Sequence, residues 1–165
     1  FGWNGRARTG ILINNPIGWL MTHINSNFAL FKDNGVRYIG KVLIALRPGR
    51  NDEKFIEVAD RISEFYGASF SFLRVVHEDI SDEELDEIEN ASTKLIETSK
   101  AESKLVVVKS NNSIDTISKM SASYDLLILG TPQKESWTSM LFGTGKDKFT
   151  EKSACSVLRL TIKAN

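Results

Sequence analysis

Residues 41–67 read KVLIALRPGRNDEKFIEVADRISEFYG. KVLIAL (41–46) is a short continuous apolar run, the pattern of a strand covered on both faces. RPGRND (47–52) interrupts it, because proline and glycine do not continue a central strand. From Asn51 or Asp52, both N-cap residue types, Phe55, Ile56, Ala59, Ile62, Ser63 and Tyr66 recur at helical spacing until Gly67 stops the helix. A doubly covered strand running straight into an amphipathic helix is the first half of a strand–helix–strand crossover, which predicts a parallel sheet.

The same unit recurs downstream. SFSFLRVV (69–76) reads as a second strand, and Ser81 with Glu84 three residues later forms a capping box that opens a helix through about Lys100. KLVVVK (104–109) is the third strand, followed by a short helix from about Ser113 to Ala122. DLLIL (125–129) is the fourth, and MLFGTGKDKFTEKSA (140–154) leads through a last helix into SVLRLTI (156–162). This order predicts an α/β domain: an open five-stranded, mostly parallel sheet with helices on both faces and right-handed crossovers, plus an N-terminal helix–strand arm. Ligands of such sheets sit beyond the carboxyl ends of the strands, where the strand order reverses. RPGRND and the loop within DLLILGTPQKESWTSMLFGTG (125–145) both fall at that end.

Composition sets the bounds. With 165 residues, 41% of them hydrophobic, the chain is long enough for one domain with a sizeable core. Lys+Arg and Asp+Glu balance at 21 each, so no overall field draws the chain to nucleic acid, and no nucleic-acid partner is expected. The charges are unevenly spread: residues 1–50 carry seven basic side chains against the single acid Asp33, whereas EDISDEELDEIE (78–89) carries eight acids and no base. That acidic run reads as a solvated helix face; it lacks the central glycine of a calcium loop, and no metal site is expected. The single cysteine, Cys155, excludes an internal disulfide and an all-cysteine metal site, and fits a reducing compartment. No apolar run reaches the ~18 residues of a membrane-spanning helix.

Here the residues carry a resemblance. Strand–helix units in this order, DLLILG followed by a loop to LFGTG, and the ending ACSVLRL resemble the universal stress protein family over roughly Lys41 to Ile162. Members of that family that bind ATP carry a glycine, two residues, a second glycine, nine residues, then glycine and a serine or threonine. Gly130 matches the first position and Gly143 with Thr144 the last pair, while Gln133 stands where the second glycine belongs. The family's first strand ends in an aspartate that holds the nucleotide's sugar or base side; the matching position here is Arg47. Independently of the family, a phosphate cradle of backbone N–H groups needs close approach and positive φ, which a glycine permits and Gln133 does not. Arg47 removes an acceptor for ribose hydroxyls, although an arginine can itself pair with a phosphate or other anion. The expectation is therefore a degraded nucleotide loop at Arg47, Gly130, Gln133, Gly143 and Thr144, with no cofactor. GTGK (143–146) is not a Walker loop, since Met140 stands where that motif needs a glycine and Asp147 replaces its serine or threonine.

No catalytic constellation is legible. His23 and His77 are isolated, and His77 with Glu78 and Asp79 reads as a solvated connection rather than acid–base machinery. Ser136, Ser139 and Ser156 lack the glycine-flanked nucleophile elbow. Cys155 precedes a strand as a small apolar residue would. The chain is expected not to be an enzyme.

The first forty residues precede the first strand of the stress-protein pattern. Sliding them by 129 positions superposes Leu12 on Leu141, Leu20 on Phe149, and NFALF (27–31) on SVLRL (156–160). The match is one of pattern, and it reads residues 1–35 as the tail of a preceding similar unit plus a linker, with 36–165 as the α/β domain. FKDNGVR (31–37) is then the hinge; because the last strands of dimeric stress proteins pair with each other across the interface, the resemblance implies that NFALF lies antiparallel beside 156–162. Tandem units joined by a strand-FKD-glycine linker resemble the cytosolic C-terminal regions of prokaryotic amino acid–polyamine–cation superfamily transporters, including cation–chloride cotransporters. That resemblance implies a regulatory or dimerisation domain on the cytoplasmic side of the cell membrane, partnered by the transmembrane portion of the same protein and by a second copy. The basic first fifty residues suit contact with an anionic membrane surface, each Lys or Arg contributing about 1 kcal/mol. The competing readings are a stand-alone ATP-binding universal stress protein and, third, an enzyme of the nucleotide-binding α-hydrolase type.

Overall fold

The computed structural model describes residues 26–130 and 148–162. The elements are β1 (Phe28–Lys32), β2 (Lys41–Ala45), α1 (Asp52–Tyr66), β3 (Ser69–Val76), α2 (Asp82–Ile96), β4 (Ser103–Lys109), α3 (Ser113–Ser121), β5 (Leu126–Gly130), α4 (Lys148–Lys152) and β6 (Ser156–Thr161). They form one sheet in the order β1-β6-β5-β2-β3-β4. The expected α/β class holds, but the sheet has six strands and not five. The extra one is β1, which pairs antiparallel with β6 from Phe28↔Thr161 to Lys32↔Val157, while every other pairing is parallel. NFALF thus lies where the sequence placed it, as a member of the sheet and not an appendage. The arm's expected helix falls outside the described residues.

Helices cover both faces. Phe55, Ile56 and Ala59 of α1, with Leu95 and Ile96 of α2 beside them, close over Val42, Ile44, Phe70, Phe72 and Ile128. Ile117 and Met120 of α3, together with Cys155, close over Leu43, Leu73, Leu127 and Val157. β2 and β5 are the central strands: Val42–Ala45 and Leu126–Leu129 are buried throughout, as their uninterrupted apolar runs require.

The helix ends differ in detail from the sequence expectation. Asn51 occupies the N-cap of α1 without a side-chain bond, and Asp52 instead turns back to accept the Gly49 N–H at 3.1 Å. Gly67, with φ of +63°, ends α1 in the left-handed region that favours glycine. Ser81 Oγ caps α2 by accepting the Glu84 N–H at 3.2 Å. α2 stops at Ile96 rather than near Lys100, because Asp60 Oδ1 accepts the N–H groups of both Lys100 and Ala101 at 2.9 Å and pulls the chain out of the helix. Asp125 stands just before β5, where its Oδ2 accepts the Gly40 and Lys41 N–H groups at 2.9 Å and fixes the start of β2 beside it.

Candidate functional site

The chain leaves β2 toward β3 on one side and reaches β5 and β6 on the other, so the order reverses between β2 and β5. Their carboxyl ends are the topological switch point at which such sheets hold ligands. Ala45 pairs with Leu129, which brings the two following segments, Leu46–Arg47 and Gly130, side by side. Arg47 and Gly130, 83 positions apart in sequence, are therefore brought to the same end of adjacent strands. Gln133, Gly143 and Thr144 lie outside the described residues.

Two buried arginines, Arg74 and Arg159, bond to the backbone at this end. Arg74, on β3 and 3% exposed, donates from Nη2 to Asp52 Oδ2 at 2.6 Å, from Nε to Ser92 Oγ at 3.0 Å, and from Nη1 to Leu46 O at 3.2 Å. Its guanidinium carbon also sits 4.2 Å from the centre of the Phe72 ring. A single side chain so joins the end of β2, the first turn of α1 and the middle of α2. Arg159, on β6, donates from Nη1 to Gly130 O at 2.6 Å, so the carbonyl that opens the glycine loop is already held. Gly130 itself is close-packed: a Cβ there would meet Phe55 Cζ at 3.2 Å and Leu46 Cδ2 at 3.4 Å. A side chain there would have to displace the Phe55 ring edge by a few tenths of an ångström.

Arg47 and Arg50 are exposed on the loop between β2 and α1. Beside that loop an open cleft of about 540 Å³ lies between the start of α1 and α2, with Arg50, Glu53, Glu87, Ile88 and Leu95 on its walls. Its mix of both charge signs and apolar carbon selects no single ligand class. The acidic residues of α2 are spread along its outer face, with Glu83, Glu84, Asp86 and Glu87 exposed. Among the described residues no group of three or more metal-ligating side chains converges. His77 Nδ1 stands 3.4 Å from Asp79 Oδ2 with both side chains exposed, while Glu78 is drawn off to Asn111 Nδ2 at 2.9 Å. Cys155 is buried among apolar side chains, and burial pushes its thiol up to about 11, which removes the thiolate needed for reactivity at neutral pH.

Arg74 and Arg159 do not stand out in the sequence, since SFSFLRVV and SVLRLTI read as apolar blocks. The signal was present: one arginine inside a strand covered on both faces must find partners, because an unpaired buried charge is too costly.

No protein-family model and no curated protein matches the chain. Solved structures do. The hypothetical protein MJ0577 superposes with a TM-score of 0.62 at 17% identity, covering 77% of this chain and 99% of the other. A universal stress protein from Archaeoglobus fulgidus DSM 4304 gives 0.59 at 14%, covering 83% of this chain and 50% of that one. Another from Archaeoglobus fulgidus, in complex with dAMP, gives 0.55 at 14% over 74% and 98%. The fold is universal stress protein-like. At these identities the likeness concerns the fold, and in that frame Arg47 and Gly130 sit at the carboxyl ends of the two strands flanking the switch point.

Proposed function

We propose that this chain is a non-catalytic regulatory and dimerisation domain of a membrane transporter, of the cation–chloride cotransporter or amino acid permease type, on the cytoplasmic side of the cell membrane. The observation that carries the reading is the joint before β2. Lys32 Nζ donates to Thr150 O at 2.9 Å, the Asn34 side chain to Cys155 O at 2.8 Å, and the Asn34 N–H to Ser156 Oγ at 2.9 Å. Asp33 Oδ1 accepts the Gly35 N–H at 2.8 Å and the Val36 N–H at 3.1 Å, and Gly35, with φ of +92°, makes the turn. KDNG is thus a built joint that seats β1 against the last strand of the domain, as a linker between tandem units would require. The greater share of this chain aligned with the longer stress protein, of which it covers only half, supports the same reading.

Arg47 at the switch point, where an acceptor for ribose hydroxyls would be needed, supports a domain that has given up nucleotide binding. Expressed as its complete gene product, the protein should remain with the membrane fraction under alkaline extraction; full release into the soluble fraction overturns the transporter reading. The second reading, a stand-alone ATP-binding stress protein, is favoured by the fold itself and by the dAMP held by one neighbour. Saturating Mg-ATP stabilises a true binder by about 2.7 kcal/mol at a hundredfold excess over Kd. We expect no calorimetric heat and no thermal shift; a saturable heat establishes the second reading.

A further inference from the structure

β4 is the strand whose sequence and burial disagree. Leu105, Val106, Val107 and Val108 are four consecutive apolar residues, the pattern of a strand covered on both faces. Leu105 packs against the cluster that α1 covers, and Val106 and Val108 against the one that α3 covers. Yet none of the seven residues of β4 is buried, whereas each of the other five strands has at least one that is. The exposure comes from the edge. β4 ends the sheet order, and it pairs with β3 on one side and with no other described strand on the other. A row of outward backbone donors and acceptors flanked by valines is a template for another strand.

We infer that this edge is a self-pairing surface, on which two copies of the chain join β4 to β4, antiparallel, into one continuous sheet. The charges do not oppose a second copy. A two-fold axis perpendicular to the sheet keeps each residue on its own face, and side chains alternate faces along a strand, so opposed residues must both be even-numbered or both odd-numbered. Lys104 therefore cannot oppose Lys109 in any symmetric register, although these two are the strand's only charges. Centred on Val106, the full strand pairs with Val106 opposite itself, Leu105 opposite Val107, Lys104 opposite Val108 and Ser103 opposite Lys109. Branched apolar side chains meet across the seam, and no like charges do, which is the arrangement that stabilises cross-strand pairs.

The surface names where the dimer of the proposed function would form, and its failure would leave the membrane and nucleotide tests untouched. Sedimentation velocity should show a monomer–dimer equilibrium at micromolar protein. Val106→Lys sets two ammonium groups opposite each other at the axis and should return the protein to monomer, with circular dichroism melts confirming that it folds. Val106→Cys should cross-link under mild oxidation, since opposed Cβ atoms lie about 4.5–5.5 Å apart, near the span of a disulfide. Val108→Cys should not, because the two copies of residue 108 are four residues apart along the strand, roughly 13 Å. A chain that stays monomeric at high micromolar concentration overturns the inference. So does cross-linking of Val108→Cys as fast as Val106→Cys.

Discussion

Asn34 Nδ2 donates to Cys155 O at 2.8 Å across 121 positions of chain, and to Ser153 O at 3.3 Å. The backbone N–H of Asn34 donates to Ser156 Oγ, and that hydroxyl donates to Asp33 Oδ1 at 3.2 Å. β1 cannot leave β6 without breaking this set. Asn34→Ala removes both side-chain bonds and should cost about 1–2 kcal/mol, seen as a lower melting temperature. Amide exchange at Ala29, Leu30 and Phe31 should quicken more than at β2 or β5. Unchanged protection of those three amides would mean that the strand ladder alone holds β1.

Asp33 makes the joint sensitive to acid. The Gly35 N–H, then the Val36 N–H and the Ser156 hydroxyl, hold its carboxyl below the ordinary 3.8. A carboxylate with a depressed folded-state pKa contributes stability that is present above the unfolded value and lost as pH falls through the folded one. Asp33→Asn should therefore differ from the parent in thermal stability at neutral pH and converge with it in acid. The side chain is exposed, so added salt and solvent moderate the difference. An NMR titration placing Asp33 at or above 3.8 would refute the assignment.

Gly130 gives a warning about how the nucleotide question is tested. Adding a side chain drives Cβ into Phe55 and Leu46 at the top of the core. Gly130→Val should cost about 1–3 kcal/mol by overpacking, whether or not any ligand binds. Phe55→Leu in the same chain should recover part of that loss, since it retracts the ring edge. If Gly130→Val melts with the parent, the close approach is not a packing constraint and the glycine is open to a functional explanation.

Much of this architecture is legible in the sequence because strand burial leaves a simple trace. VLIAL and LLIL are uninterrupted apolar runs, and they became the two central strands, buried over Val42–Ala45 and Leu126–Leu129. The antiparallel placement of NFALF was also legible, from its pattern match to SVLRL taken together with the stress-protein resemblance. The strand count was not, because an arm and a sixth strand share one apolar pattern and only pairing with β6 separates them. The end of α2 was missed for a related reason: Asp60, distant in sequence, captures the two amides that a local propensity argument leaves to the helix. Of the expected site, Arg47 and Gly130 come together because register fixes them. Arg74 and Arg159 were hidden by the apolar residues around them.

Arg74 and Asp52 provide the sharpest test of how the switch-point end is built. Their ion pair spans 2.6 Å, with side-chain exposures of 3% and 12%. Removing one partner strands the other charge away from water, so Asp52→Ala should cost about 3–5 kcal/mol even though it deletes few packing contacts. Asp52 also accepts the Gly49 N–H, so its loss frees the loop that carries Arg47 and Arg50. Arg74→Met keeps a long apolar side chain against Phe72 and Leu46 but abandons the carboxylate in turn. The double substitution, Asp52→Ala with Arg74→Met, leaves no buried charge and should be more stable than Asp52→Ala alone, giving a coupling well outside additivity. Urea melts of the four proteins measure that cycle directly. Additive losses would show that the arginine is solvated in the folded chain, and the account of this end as an internally satisfied network would fall.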